Sequence, residues 1–213
     1  SEALLTAPLE LCISSSGSLL SGVLAGLQSV NLNVLAEGDL RQSLIILMDN
    51  IHRIKSSPED GQIRINLCAA SYMYNRASDS GFTGSATGVV TALAHSLDAR
   101  YPGCDHGSAY SILTAPGMRF NVDYNCIGQS RLGHILGLSE SPNEDKTTSE
   151  AAACRVSDIY NNLGMPTRLR DVGVPRDGIR TIAEDAMTDF ALHRNIRPVQ
   201  DVGDLETLMD ELW

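Results

Sequence analysis

Two of the five histidines, His95 and His106, lie close together in residues 90–107, VTALAHSLDARYPGCDHG. An imidazole changes charge near neutral pH and is also a common metal ligand, so this pair suits proton transfer or metal binding. Asp105 could add a carboxylate oxygen beside them. One interpretation is a metal site built from His95, Asp105 and His106, and the other is a metal-free acid–base site.

The elements that carry these histidines have a helical pattern. Small and apolar residues in SATGVVTALAHSL predict a buried helix over residues 85–97. Pro102 and Gly103 then break the chain, and residues 106–121 predict the next helix, disturbed near Pro116. The histidines are therefore expected at the end of one helix and at the start of the following one.

The rest of the chain is also predicted to be helical. Apolar residues up to Ile54 recur at helical spacing after a start at Asp39, and residues 63–73 predict a second, central helix. Residues 139–150 predict an exposed loop, followed by helices over 151–163, 179–190 and the last residues, where Asp204 is the expected N-cap. No alternating strand pattern and no glycine-rich phosphate loop after a strand occurs. The fold class is therefore all-α, with residues 1–213 as a single compact helical domain.

Charge and cysteine content narrow the functional classes. The chain has 26 acidic and 16 basic residues, a net charge of -10, which argues against nucleic-acid binding. No apolar run is expected to reach the ~20 residues that span a bilayer, and the first residues lack the basic segment of a secretory signal. The five cysteines form no CxxC pair, which is typical of free thiols. We expect a cytoplasmic protein without a membrane partner.

Several stretches taken together resemble a known family. They are GFTGSATGVVTALAHSLDARYPGCDHGSAYSILTAPGMRFN, LGMPTRLRDVGVP and RNIRPVQDVGDLETLMDELW, in this order. The chain resembles the C-terminal helical domain of iron-dependent alcohol dehydrogenases, which is dehydroquinate synthase-like, including the maleylacetate reductase branch. The resemblance implies an N-terminal nucleotide-binding domain, and we expect this chain to lack it.

The resemblance also implies four metal ligands, an Asp and a His one helical turn apart and two further His. Leu19 and Val23 stand at the first two positions, Thr91 at the third and His106 at the fourth, whereas His95 stands at the family's proton-relay position. Only one ligand of the four is retained. We therefore expect neither a bound metal nor a cofactor.

The same replacements suggest a reused pocket. We expect His95 and His106 to be catalytic, and six residues to contact substrate, namely Leu19, Val23, Tyr72, Phe82, Thr91 and His193. An apolar cavity with a few polar groups is the usual form of a small-molecule site. Because Tyr72 and Tyr74 lie two residues apart on a helix, at most one of them can line it.

The favoured function is a cofactor-independent, non-redox enzyme for a small apolar natural-product intermediate, and by analogy we expect it in fungal secondary metabolism. The candidate reactions are isomerisation, dehydration and cyclisation, including an intramolecular [4+2] cycloaddition. One alternative is a catalytically dead interaction subunit, with a homodimer formed through the face left by the missing domain. The other alternative is half of a split dehydrogenase.

Overall fold

The computed structural model describes residues 2–80, 88–141 and 145–213. Within these ranges the chain forms ten α-helices and no β-strand, which confirms the all-α class. In chain order they are α1 Glu2–Leu5, α2 Leu9–Leu27, α3 Val34–Asn50, α4 Arg53–Ser56, α5 Gly61–Asp79, α6 Gly88–Arg100, α7 His106–Ile135, α8 Lys146–Asn162, α9 Ile179–Ala186 and α10 Val202–Asp210.

Five of the helices begin at a residue whose side chain accepts a hydrogen bond from the first turn. These N-caps, for α3, α5, α7, α8 and α10, are Asn33, Asp60, Asp105, Asp145 and Asp201. Each cap satisfies a backbone N–H that has no partner inside its helix, and such a cap is typically worth ~1 kcal/mol.

Two predicted helix starts are wrong for a common reason. Asp39 lies inside α3 and forms an ion pair with Arg76, and Asp204 lies in the first turn of α10, 3.3 Å from Arg197. Both carboxylates therefore bind arginines on other parts of the chain. Helical spacing alone does not show that an earlier Asn or Asp is a better cap.

Helix α7 is longer than predicted and is disturbed at a different place. Pro116 lies within the helix, but the non-helical backbone is at Asn125, with φ -138° and ψ 30°. There the Asn125 side chain donates to the carbonyl oxygen of Gln28, 3.3 Å away, at the end of α2. The break in α7 thus lies where this helix contacts the end of α2. The position of a proline in the sequence does not predict such a contact.

The helices enclose two clusters of buried apolar side chains. The first cluster is formed mainly by α2, α3, α5 and α8, and includes the fully buried Leu24 and Leu47. The second is formed by α6, the beginning of α7, α9 and α10, and includes Leu93 and Ile182. Helix α7 packs against α2 and α8 on one side and α6 on the other, so it connects the two clusters.

Helix α2 is the one described helix long and apolar enough to cross a membrane by length and composition. From the sequence we expected no apolar run of this length, and α2 contradicts that expectation. A core helix meets the same criterion, and α2 packs against α3, α5 and α7. The absence of a membrane partner stays a prediction.

The five cysteines are all free. Burial is the main cause that raises the pKa of the Cys104 thiol to about 12, which keeps it protonated and unreactive at neutral pH. Cys68 and Cys154 are exposed, so the thiols are not uniformly buried.

Candidate active site

The helices α6 and α7 bring the predicted catalytic residues onto one surface. Thr91, His95 and Asp98 lie at positions i, i+4 and i+7 of α6, and therefore on one side of that helix. His106 and Tyr110 lie one turn apart at the beginning of α7. The side-chain hydrogen bond between Thr91 and Tyr110 and the contact between Asp98 and His106 bring these two faces together.

The beginning of α7 is fixed from two directions. Asp105 accepts a hydrogen bond from the backbone N–H of Ser108 at 3.2 Å and also binds the Ser14 hydroxyl of α2. A Cβ atom on Gly107 would lie 2.2 Å from the carbonyl oxygen of Ser14, so only glycine allows α2 and α7 to approach this closely. The position of His106 follows from this close contact.

His95 forms the tighter of two histidine–aspartate pairs, which we call the His95 pair. Its Nδ1 lies 2.8 Å from Oδ2 of Asp189, whose side chain is 15% exposed. The other oxygen of Asp189 accepts from the backbone N–H of Ala191 at 2.7 Å, so the carboxylate is held in place. Because a carboxylate only accepts hydrogen bonds, the shared proton lies on Nδ1, and Nε2 is left as an acceptor. The histidine side chain is 37% exposed, which leaves it accessible to a substrate.

The His106 pair, formed with Asp98, is looser. Nδ1 of His106 lies 3.6 Å from Oδ2 of Asp98, and both side chains are about half exposed, at 46% and 50%. The ring of His106 meets the ring of Tyr110 edge-on, with 4.9 Å between centroids. The aromatic contact therefore orients this imidazole more than the carboxylate does.

Tyr110 lies between the two pairs. Burial is the main cause that raises its pKa, a hydrogen bond with Thr91 lowers it, and the negative charges of Asp189 and Asp98 raise it further. The hydroxyl group of Tyr110 thus interacts electrostatically with the carboxylates of both pairs. The raised pKa keeps the phenol protonated at neutral pH, so Tyr110 can donate a hydrogen bond to a substrate.

Sequence reasoning missed Tyr110 and both aspartates. The spacings T-x-x-x-H-x-x-D in α6 and H-x-x-x-Y in α7 would have indicated Asp98 and Tyr110, because these intervals put side chains on one helix face. Asp189 follows α9, far from His95 in sequence, and no local pattern points to it.

Two of the positions that the resemblance assigns to metal ligands are apolar and partly or fully buried. Leu19 is half-buried and Val23 has no exposed surface, so Val23 belongs to the core and cannot contact a substrate in this structure. Its prediction as a substrate-binding residue is not supported. Thr91 is half-buried and bound to Tyr110.

These residues do not fit a divalent metal. The set contains two apolar side chains, a hydroxyl already bonded to Tyr110 and one exposed imidazole, whereas such a metal needs several imidazole, thiolate or carboxylate donors facing one point. Asp105 cannot complete a rebuilt site, because its oxygens bind Ser14 and Ser108. Across residues 2–80, 88–141 and 145–213, no three His, Cys, Asp or Glu side chains form a group that could hold a metal.

The remaining predicted substrate residues lie elsewhere. Tyr72 is 66% exposed, and it is Tyr74 that lies against α2, where a Cβ on Gly22 would be 2.9 Å from its hydroxyl oxygen. His193 is exposed on the short 3-10 turn Leu192–Arg194. Phe82 lies outside the described residues. The structure therefore favours Tyr74 over Tyr72.

Two clefts differ in character. The apolar groove, of about 280 Å³, lies between α2 and α5 and includes Leu19. The polar cleft, of about 600 Å³, lies among α7, α8 and α10 and includes none of the predicted site residues. In it, Arg197 stacks 3.9 Å from the centroid of the Phe120 ring and lies 3.3 Å from Asp204. This arginine is already bound within the fold.

Comparison with known proteins gives a consistent match. Residues 25–211 match the model of the Fe-containing alcohol dehydrogenase family, C-terminal. Thr91, His95 and His106 lie inside the matched residues, whereas Leu19 and Val23 precede them.

Individual relatives cover only part of their own length. Lactaldehyde reductase of Escherichia coli strain K12 is 30% identical over 133 residues, which are 62% of this chain and 34% of that protein. Maleylacetate reductase 1 of Cupriavidus pinatubonensis is 25% identical over 202 residues, 95% of this chain and 52% of that protein. The chain thus spans about a third to a half of these relatives.

A solved structure shows the same fold. The alcohol dehydrogenase from Oenococcus oeni superposes with a TM-score of 0.83 at 18% sequence identity, over 98% of this chain and 53% of that one. At this identity the similarity concerns the fold alone.

Proposed function

We propose that this chain, which belongs to the Fe-containing alcohol dehydrogenase family and matches the C-terminal domain of that family, catalyses metal-independent, non-redox chemistry on a small apolar molecule. The candidate reactions are isomerisation, dehydration or cyclisation, including a pericyclic ring closure. The single observation that carries the proposal is the His95 pair, an accessible imidazole held at 2.8 Å by a carboxylate at the family's proton-relay position.

The chemistry of this surface supports proton transfer. Nε2 of His95 is the acceptor that can take a proton from a substrate carbon or hydroxyl, and the Asp189 carboxylate stabilises the imidazolium that forms. The neutral phenol of Tyr110 donates a hydrogen bond to a substrate oxygen. In an isomerisation His95 returns the proton to another atom, and in a dehydration the protonated His106 supplies the proton that leaves with the hydroxyl group as water.

A cyclisation needs no proton transfer. Holding a flexible substrate in its reactive shape removes conformational freedom and can supply several kcal/mol. The apolar groove would then contribute more to the rate than either histidine, and variants of the two histidines separate the two mechanisms.

The comparison that tests the proposal is a metabolite profile of a strain that lacks the gene against its parent. The compound that accumulates is expected to have the mass of the missing compound, or to exceed it by one water. A strain carrying the His95→Ala variant should accumulate the same compound, whereas His52→Ala, an exposed histidine of the short α4 region, should restore the parental profile. No difference between the profiles contradicts an enzymatic role.

The named relatives favour a second candidate, half of a split dehydrogenase. Its nucleotide-binding part would be formed by residues outside positions 1–213. These relatives are dehydrogenases and reductases, among them the two proteins compared above. A difference of two hydrogens between the accumulated and the missing compound would support this second candidate and overturn the first.

A further inference from the structure

The apolar groove follows two helices that run in the same direction. Arg64 Nη1 of α5 lies 3.4 Å from Cys12 Sγ of α2, and further along the ring of Tyr74 lies against Gly22. The same sequence offset separates both pairs, so α2 and α5 are parallel and in register over this length. Leu19 and Ser71 line the groove between these two contacts.

One end of the groove is closed by the N-terminal segment. Arg64 is 5% exposed, and its Nη1 donates to the carbonyl oxygens of Leu4 and Ala7, both at 2.7 Å. A third hydrogen bond goes from Nε to the carbonyl oxygen of Pro58 at 3.1 Å. The buried guanidinium of Arg64 therefore binds the N-terminal segment that contains α1. The exposed lining of the groove is apolar and uncharged.

The other end leads towards the histidine surface. Ser71 and Tyr74 lie one turn apart on α5, as do Leu19 and Gly22 on α2, so the half-buried ring of Tyr74 lies one turn beyond the residues that line the groove. Burial is the main cause that raises the pKa of Tyr74, and the nearby Tyr110 raises it further. The hydroxyl of Ser21, next to Gly22 on α2, lies 2.7 Å from that of Thr114, which donates to the carbonyl oxygen of Tyr110 at 2.6 Å. Tyr74 and Tyr110 therefore lie on helices that contact the same turn of α2, and the ring of Tyr110 in turn contacts that of His106.

We propose that the apolar groove binds the hydrocarbon part of a small amphiphilic molecule whose polar end reaches Tyr74 and Tyr110. This inference rests on the proposed function and names the class of its substrate. The apolar lining excludes a charged tail, because an ion without a partner is costly to bury. Leu19, at a position of a metal ligand in the family, becomes part of the wall that holds the chain.

The size of the groove argues for a small molecule. The groove has a volume of about 280 Å³. Ligand pockets begin at about 300 Å³, close to the observed volume. The groove therefore fits the hydrocarbon part of a small ligand.

The test uses Nile red, a neutral apolar dye, and its displacement by 1-decanol. Ser71→Trp places an indole in the groove and is expected to weaken dye binding at least tenfold. Ser157→Trp is the matched control, because Ser157 is also a half-buried serine on a helix but lines the polar cleft, so it should bind the dye as the unchanged protein does. Ser15→Trp is a second blocking variant, at an exposed position of the groove, for the case that Ser71→Trp does not fold.

Several results would overturn the groove proposal. Absence of saturable dye binding, or equal binding by the blocking variants and the control, would contradict it. So would failure of 1-decanol to displace the dye, or a dimer of the protein that only the blocking variants abolish. His95→Ala should bind dye normally, so this assay is independent of the catalytic role of His95. Normal turnover by His95→Ala would refute acid–base catalysis and leave the groove intact, whereas unimpaired dye binding by Ser71→Trp would refute the groove alone.

Discussion

The two histidine–aspartate pairs use the same residue types but are built differently. In the His95 pair the atoms lie 2.8 Å apart, and the carboxylate is 15% exposed and bound to a backbone N–H. In the His106 pair they lie 3.6 Å apart and both side chains are about half exposed, at 46% and 50%. A fixed carboxylate can select one tautomer of its histidine, whereas a solvated ion pair contributes little. The comparison therefore favours His95 as the base of the proposed reaction, and the catalytic role of both histidines stays a prediction.

The largest effect is expected from His95→Ala. Loss of a general acid–base typically costs about 10²–10⁴ in rate, and turnover of the compound identified by metabolite profiling should fall within this range. Because the side chain is partly exposed, the thermal unfolding midpoint should change little. Circular dichroism during heating checks the fold, and His52→Ala is the control. Undiminished turnover would remove His95 from the mechanism.

Asp189→Asn should have the next largest effect. The amide oxygen can still accept from the N–H of Ala191, but the negative charge that stabilises the imidazolium is lost. We expect kcat to fall less than in His95→Ala, with KM unchanged. The same change in the other pair, Asp98→Asn, is the matched control and should leave kcat nearly unaltered. Equal losses in the two variants would contradict the distinction between the pairs.

His106→Ala is expected to lower turnover less than tenfold in an isomerisation, in which His95 alone moves the proton. In a dehydration, in which His106 is the proposed acid, the loss should approach that of His95→Ala. Steady-state kinetics under the conditions used for His95→Ala gives the comparison. A loss as large as that of His95→Ala would make His106 an equal partner, as for an acid that protonates a leaving hydroxyl group.

Asp105→Ala should have the smallest effect on turnover and a measurable effect on stability. Loss of an N-cap costs ~1 kcal/mol, and the free energy of unfolding follows from urea denaturation at several pH values. Burial raises the pKa of Asp105, but the hydrogen bonds from Ser108, Ser14 and Gly107 outweigh it and lower the pKa. A lowered folded-state pKa stabilises the fold above the unfolded pKa, and this contribution is lost as the pH falls through the folded value.

The variant should therefore lose less stability than the unchanged protein between neutral and acidic pH. Asp201→Ala, which removes the cap of α10, is the control for an N-cap far from the histidines. A pH dependence of stability in Asp105→Ala equal to that of the unchanged protein would show that Asp105 is not the titrating group.

The sequence predicted the helices well and their ends poorly. Periodicity located the helices of His95 and His106, because burial of one helix face imposes a regular pattern. It misplaced the starts at Asp39 and Asp204, because these carboxylates bind arginines outside their own helices, Arg76 of α5 and Arg197 before α10. The same limit applies to the site: His95 was predicted from its family position, whereas Asp189 and the neighbourhood of Tyr74 and Tyr110 depend on packing between distant segments.

The full burial of Val23 makes a metal ligand at this position costly for the fold. A histidine placed there alone would be a polar group in an apolar core, which costs about 1–3 kcal/mol without a partner. An aspartate at position 19 alone would put a charge beside an apolar wall, and neither change gains a metal until donors also stand at the other positions. Restoring the ligands that the resemblance assigns to positions 19 and 23 would therefore destabilise the fold before any metal could bind.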